Sequence, residues 1–503
     1  MAPVTHDPAG QQTSVRPTTA CETSQPSATG WLKEDSIAGG VLIVLLLTGA
    51  QRLIGFVRSL LFCRWLEPEQ LGQWDVAWGF LMLAAPLAVL SLPGTFGRYL
   101  EYYRAAGQLR VFLCRTAVAC LMLALVASGT LLGMPAAFSW LIFGSQAQQQ
   151  LIGPLAGSLL AVIAYNYLIS LLTSLRTMRL VAVLETVNSA AFAVAGGLLI
   201  LCWQPSASSA IVAYGAASLL CVVAATGWMQ TIWQHAPQIY PAIPQREFWA
   251  KVLPFAGWIM LVNLLTNLFS IADRYLIAQF APGDSQSRLA LVGQYHTARV
   301  LPLLLASLAS MLAAMILPHL SRDWEAGSRQ QVGRRINLGL KLLGLSLTAA
   351  SAVLLLVAPL LFRLAFADKY QQGLNILAWT LLSGVWFGVA ALAQMYLWCA
   401  ERAGKACLAT ALGLAASVVL NLLLLPRLGL QGVALAAAAA NLTILAAVLW
   451  FSCRLGLRVD RGVWLAMAAP AALCVSPAAA LAVVAIVGWL SFGVSPGRER
   501  PRH

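Results

Sequence analysis

The chain has 503 residues, of which 60% are hydrophobic and only 10% charged, with a formal net charge of +14. Soluble domains carry about 25% charged residues, so this composition excludes a water-facing surface over most of the chain and implies a polytopic α-helical membrane protein, at about 20 apolar residues per crossing. Continuous apolar runs exclude the alternating segments of a β-barrel, and the basic excess reads as Lys and Arg gathered in cytoplasmic loops rather than as a nucleic-acid surface.

Residues 1–35 are rich in Pro, Thr, Ser and Gln. They cannot bury a core and read as a disordered cytoplasmic tail. They also lack the charged, apolar, small-residue order of a signal peptide. Twelve apolar spans follow, near residues 37–61, 75–97, 111–134, 151–174, 181–203, 209–233, 252–277, 299–320, 338–362, 374–399, 405–425 and 430–452. The loops between them are too short to hold an extramembrane catalytic domain. The Pro-containing stretch QHAPQIYPAIPQREFWAK, residues 234–251, divides the spans six and six and is the expected linker. This gives a first lobe over 36–233 and a second over 252–453.

The remaining segment, 454–503, contains an apolar stretch at 463–490 interrupted by Ser476-Pro477. It reads either as one long span or as a tight pair of short helices. With the N-terminus inside, most of the 32 basic residues fall in cytoplasmic segments, and Arg498, Arg500 and Arg502 join them if the tail crosses twice. The positive-inside rule therefore favours about fourteen spans; the shortness of each half of the tail opposes it. Ten Cys are scattered without a C-x-x-C pair and read as small core residues. The five His are dispersed, so no metal site is expected.

Charges inside spans are costly, roughly 2.5–3.5 kcal/mol each, and are functional candidates. Arg52 lies deep in span 1 and Arg58 near its outer end. Six residues separate them, about 9 Å along a helix and about 120° around it, so both can line one cavity. Snorkelling accounts well for Arg64, only fairly for Arg58 and poorly for Arg52. Asp75 opens span 2, where an acid also suits a helix N-terminus; pairing with Arg52 or Arg58 is the specific expectation. Asp273 and Arg274 end span 7 and read either as cavity residues or as an interfacial pair. Arg299 opens span 8, one turn inside if Tyr295 marks the aromatic belt, either as an anchor or facing Arg52 and Arg58 from the other lobe. Glu185 reads as interfacial, and His296 and His319 lie too far apart on one helix to form a site together.

Residues 71–78 read LGQWDVAW and residues 292–299 read VGQYHTAR. Each phrase begins the second span of its lobe, and six spans separate them, so both face the same side. That is a parallel repeat about an axis along the membrane normal, a transporter architecture. A cavity with three candidate Arg and few acids suits phosphate or pyrophosphate, because the guanidinium fork matches their oxygens.

The stretches RLIGFVRSLLFCRWLEPEQLGQWDVAW (52–78) and VGQYHTARVLPLLLASLASMLAAMILPHLSR (292–322) resemble the first two helices and the eighth helix of the multidrug/oligosaccharidyl-lipid/polysaccharide exporter superfamily. Within it the chain is most similar to the polysaccharide (O-antigen-type) flippases and the lipid II flippases. The resemblance implies an all-α fold of two six-helix lobes in a V with a pseudo-two-fold along the membrane normal, plus a C-terminal short helical pair. It also implies alternating access and a lipid-linked saccharide substrate. The superfamily's cavity arginines carry over to Arg52, Arg58 and Arg299, and its helix-2 acid to Asp75. The lipid II flippases have a further basic residue midway along helix 2, and FLMLAAPLAVLSLPG has none. This departure points toward another polyprenyl-diphosphate saccharide.

The expected function is translocation of a polyprenyl-diphosphate-linked oligosaccharide across the bacterial inner membrane for cell-surface polysaccharide synthesis. The expected site is Arg52, Arg58, Asp75, Arg299, Asp273 and Arg274, with no cofactor and no metal. Membrane lipid is a partner, and the pathway's polymerase and glycosyltransferases are candidate partners. The alternatives are a cation or drug antiporter of the same fold, which would need buried acids, and a membrane-embedded polymerase or glycosyltransferase, which would need a large outer loop or an acidic metal cluster. A non-transporting assembly scaffold is a third.

Overall fold

A computed structural model describes residues 37–235, 244–366 and 369–493, and every regular element among them is helical. The N-terminal tail and the last ten residues, including Arg498, Arg500 and Arg502, lie outside the described residues, as does the middle of the 234–251 linker.

The first half contains α1 (Ile37–Trp65), α2 (Pro68–Ala88), α3 (Phe96–Ala105), α4 (Leu109–Gly133), α5 (Pro135–Phe143), α6 (Ile152–Ser174), α7 (Met178–Cys202), α8 (Ala207–Ala224) and α9 (Thr226–His235). The second contains α10 (Gln245–Phe280), α11 (Ser285–Glu325), α12 (Arg329–Phe366), α13 (Gln371–Cys399), α14 (Ala403–Leu428) and α15 (Leu430–Arg454). Among the described residues, eleven helices are long and apolar enough to cross a membrane, and a broken pair brings the number to twelve. The chain is a multi-pass membrane protein, and each of the twelve expected apolar stretches overlaps one of these spans, several of which start earlier.

The broken pair is α2 with its continuation Leu92–Ala105, bent by 61°. Span 2 was expected to run straight over 75–97. Pro86 removes a helical donor, and Leu90 and Ser91 both take left-handed backbone conformations, with φ of 51° and 50°. The Ser91 amide turns back to donate to Pro86 O at 2.7 Å. Asn263 of α10 then donates through Nδ2 to Ser91 Oγ at 3.2 Å, fixing the break against the second half.

Helix α10 belongs to both halves. Its first turns pack on α3, where Tyr99 Oη donates to Lys251 O at 3.1 Å and the Phe248, Tyr103 and Phe112 rings cluster. Its last turns pack on α14. Helix α10 starts at Gln245, earlier than the expected 252, and runs through Pro254. Helices α13 and α15 pack closely because α15 presents a run of alanines, Ala436, Ala437, Ala438 and Ala440, that lets the backbones approach.

The tail is a pair of short helical segments, α16 (Arg461–Ala468) running on as a 3₁₀ turn to Cys474, and α17 (Pro477–Gly488). The break falls at Ser476-Pro477, where Ser476 Oγ accepts from Ala479 N at 3.0 Å and caps α17. The pair is held to the second half by Trp386 Nε1, which donates to Met467 O at 3.0 Å, and by Lys341 with Asp460 at 2.8 Å.

Candidate functional site: an arginine-lined cavity between the halves

The two repeated phrases meet. A Cβ on Gly72 would sit 1.8 Å from Leu289 O, and a Cβ on Gly293 would sit 2.0 Å from Pro68 O. Only glycine permits α2 and α11 to cross this closely. Each glycine has the same place in its phrase, so the crossing is self-complementary in the way a two-fold contact is. One turn further on, the equivalent positions 75 and 296 also touch: Asp75 Oδ1 lies 2.9 Å from His296 Nδ1.

Asp75 is 2% exposed and Arg274 of α10 is likewise 2% exposed. Arg274 Nε lies 3.3 Å from Asp75 Oδ2, its Nη1 donates to Asp75 O at 3.5 Å, and its guanidinium sits 5.5 Å from the centre of the Trp78 ring. A buried carboxylate is tolerable when paired and hydrogen-bonded, and here both partners come from the other half. The expected partners of Asp75 were Arg52 or Arg58. Helix α2 begins at Pro68 rather than near 75, so Asp75 lies two turns inside and faces α10 and α11 instead of the α1–α2 loop.

Beyond this cluster lies a cavity of about 390 Å³ between α1, α2, α7 and α11. Arg52, Arg58, Arg274 and Arg299 line it, against two carboxylates, Asp75 and Glu185. The Arg58 guanidinium stacks 4.2 Å from the centre of the Phe192 ring. Phe192 packs with Trp74 and Tyr214 into an aromatic wall. The Arg299 guanidinium lies 5.4 Å from the Tyr295 ring centre. Among the described residues, none of Arg52, Arg58 and Arg299 has a carboxylate within 4 Å, whereas Arg274 is neutralised by Asp75. The cavity thus holds three arginines with no carboxylate within 4 Å among the described residues, beside an aromatic wall. An anion entering it is met by forks already held in place.

A second pocket, of about 340 Å³, adjoins the first through Arg299 and Leu303, which line both. Asp273 lies there, on the opposite side of α10 from Arg274. Its Oδ2 accepts from Tyr295 Oη at 2.7 Å, and its Oδ1 accepts from Ser417 Oγ and Asn421 Nδ2, each at 3.0 Å. These bonds tie α10 to α11 and α14.

All six expected residues border one of the two pockets: Arg52, Arg58, Asp75, Arg274 and Arg299 the first, Asp273 and Arg299 the second. Two local readings are corrected. Tyr295 is buried against Asp273 and is no belt residue, because α11 starts at Ser285 and Arg299 stands about 21 Å along it. Asp273 and Arg274 lie inside α10, which continues to Phe280, and they are no interfacial pair. Glu185, read as interfacial, and His296, given no site role, also line the cavity. For His296 the signal was present: the repeat places it at the position of Asp75.

A family model described as "Polysaccharide biosynthesis protein" matches residues 37–324, more than half of the chain and a segment that contains both repeated phrases. The chain belongs to the polysaccharide biosynthesis protein family. Its fold is shared with a lipid II flippase, MurJ, in an inward closed conformation, at TM-score 0.68 and 13% identity over 90% of this chain and 99% of that one. An inward-facing multidrug resistance MATE family transporter of the MOP superfamily matches at TM-score 0.57 and 14% identity, over 82% of this chain and 98% of that one. A MOP superfamily transporter from Pyrococcus furiosus matches at TM-score 0.54 and 16% identity, over 82% and 93%. No curated protein shows significant similarity to the chain. Family and fold together place this chain in the superfamily that its two phrases resemble, an all-α membrane fold with a helical pair added at the C-terminus.

Proposed function

We propose that this family member flips a polyprenyl-diphosphate-linked oligosaccharide from the cytoplasmic to the outer leaflet of the bacterial inner membrane, for cell-surface polysaccharide synthesis. The observation that carries this reading is the set of three arginines without carboxylate partners, Arg52, Arg58 and Arg299, in one cavity between the halves. With the N-terminus inside, α2 and α11 both start at the outer face. The glycine crossing is then the closed outer gate, and the cavity is loaded from the cytoplasm. The lobes are residues 36–233 and 252–453, and the polyprenyl tail stays in lipid while the diphosphate lies on the arginines.

Three further contacts close the same end. Arg64 Nη1 donates to Leu364 O at 3.2 Å, Lys369 Nζ lies 2.8 Å from Glu67, and Tyr370 Oη donates to Leu66 O at 3.0 Å. Outward opening must break these contacts and part the Gly72–Gly293 crossing. Release requires that the arginines hold the diphosphate less well in the outward state, because a site equal in both states shifts nothing. A membrane potential negative inside assists outward movement of an anion by about 2.3 kcal/mol per charge per 100 mV. The polymerase and glycosyltransferases of the pathway are the expected partners, and the chain itself carries out no covalent step.

The arginine excess argues against a cation or drug antiporter, whose substrate such a cavity repels. The test is a strain lacking the gene: lipid-linked saccharide should build up on the inner leaflet and clear when the wild-type chain is restored. No build-up refutes the reading.

A further inference from the structure

The second pocket differs in chemistry from the first. Apart from Asp273, already met by three donors, and Arg299 at the shared boundary, its polar groups are neutral, among them Thr266, Asn267, Ser270, Thr380, Ser383 and Asn441. The rings of Phe269, Tyr295 and Phe387 also line it. Asn441 is 8% exposed. Its Nδ2 donates to Ser383 Oγ at 2.8 Å and to Ala437 O at 3.0 Å, which orients the amide, and its Oδ1 has no partner. A buried amide oxygen left unmet is costly and marks a place for an incoming donor.

Neutral amides and hydroxyls beside aromatic faces suit a ligand that carries many hydroxyl donors on a ring with apolar faces. They do not suit a second diphosphate, for which the pocket has one arginine and a carboxylate. Its volume lies at the small end of the about 300–1,000 Å³ typical of ligand pockets, room for a terminal portion of a saccharide rather than a long chain. Arg299 stands between the two pockets, so a diphosphate on Arg299 places the sugar joined to it at the entrance of the second.

We propose that the second pocket is the saccharide subsite, in which a sugar hydroxyl of the diphosphate-linked residue donates to Asn441 Oδ1 and Asn267 bonds the same ring. The proposal rests on the functional reading above and deepens it. It divides the labour between the halves: the arginines of the first cavity hold the diphosphate common to all such carriers, and the neutral pocket distinguishes what the carrier bears.

The test uses the full chain in nanodiscs and two probes measured by native mass spectrometry. One is undecaprenyl diphosphate. The other is the polyprenyl-diphosphate saccharide pool extracted from source cells lacking the gene. Wild type should bind the saccharide pool about tenfold more tightly than undecaprenyl diphosphate. Asn441→Leu and Asn267→Ala should each lose about tenfold on the saccharide pool and nothing on undecaprenyl diphosphate, whereas Arg58→Ala should weaken both. Asn267→Ala removes no hydrogen bond among the described residues, so it keeps the test decisive if Asn441→Leu misfolds. Equal losses on both probes, or no loss on either, overturns the proposal. Wild type binding both probes equally overturns the subsite and leaves the functional reading standing; wild type binding neither overturns both.

Discussion

The glycine crossing sets a quantitative expectation for Gly293→Ala. The added methyl carbon would lie 2.0 Å from Pro68 O, where ordinary contact begins near 3.4 Å. The two backbones must therefore part by about 1.4 Å at this point, and the obstacle is a carbonyl, not a side chain that can swing away. Overpacking of this kind costs about 1–3 kcal/mol. The cost falls only on the conformation in which α2 and α11 cross, so it is a differential penalty. A differential of that size changes the ratio of closed to open states about 5–150-fold. The assay is double electron–electron resonance between spin labels on the outer ends of α2 and α11, for instance at Glu69 and Gln286, in nanodiscs. Wild type should give one short distance population, and Gly293→Ala a second, longer one that dominates. Transport should fall, because a carrier held open on one side does not reload. An unchanged distance distribution with full transport refutes the argument that this crossing is the closed gate.

Other outcomes follow from the same geometry. Asp75→Asn leaves Arg274 buried without its counter-charge and should lower stability by about 3–5 kcal/mol, read as a drop in thermal unfolding temperature in detergent. Asp75→Asn combined with Arg274→Leu should recover most of that loss, and a double variant as unstable as the single one contradicts the pairing. Arg58→Ala should abolish transport at unchanged expression, and Arg58→Lys should restore it only in part, since an ammonium lacks the planar face now stacked on Phe192; full activity of Arg58→Ala removes Arg58 from the site. Asp273→Ala leaves the Tyr295, Ser417 and Asn421 donors without their acceptor and should cost about 1–3 kcal/mol per unmet buried group. Faster hydrogen exchange in α10 and α14 would report it. Trp386→Phe removes the indole bond to Met467 O and should expose the α16 segment to protease while the helical core stays intact; equal cleavage of both proteins would show that the bond does not hold the hairpin.

The twelve spans were legible because lipid imposes them: each apolar run must satisfy its own backbone, and a helix is the way one segment does so. The tail pair was legible because Ser476-Pro477 is a helix-start signal inside the apolar stretch, a capping hydroxyl followed by a proline at the first helical position. The arginines were legible as residues but not as pairs. Whether Arg274 or Arg58 reaches Asp75 depends on where α2 starts and how α10 leans across both halves, and neither follows from hydropathy. Start positions misled twice. Helix α2 begins seven residues before Asp75, and α11 begins fourteen before Arg299, because amphipathic first turns such as PEQLGQW carry polar residues that a hydropathy window trims. Glu185 was read as interfacial because its depth along α7 fits that, but its face turns inward toward Arg52. The break at Leu90-Ser91 had only Pro86 and Pro93 to announce it.

The repeat carries more information as a contact than as a pattern. A two-fold crossing sets each residue on the axis against its own equivalent. At the glycines the equivalents are identical, and identity is what close approach needs. At positions 75 and 296 an identical pair would fail: two carboxylates 2.9 Å apart repel, and two imidazoles have no counter-charge. The chain holds an acid against a histidine there. At 78 and 299 the demand is different again, because these side chains face ligand space. Trp78 forms part of the first half's wall, while Arg299 stands where both pockets open. Divergence between the halves is therefore ordered by distance from the axis. It is absent at the two glycines, where a missing Cβ lets the backbones touch, complementary in charge where side chains touch, and unconstrained by the partner copy where they face the cavity. That order explains how two similar halves can gather arginines in one pocket and mostly neutral groups in the next without weakening the crossing between them.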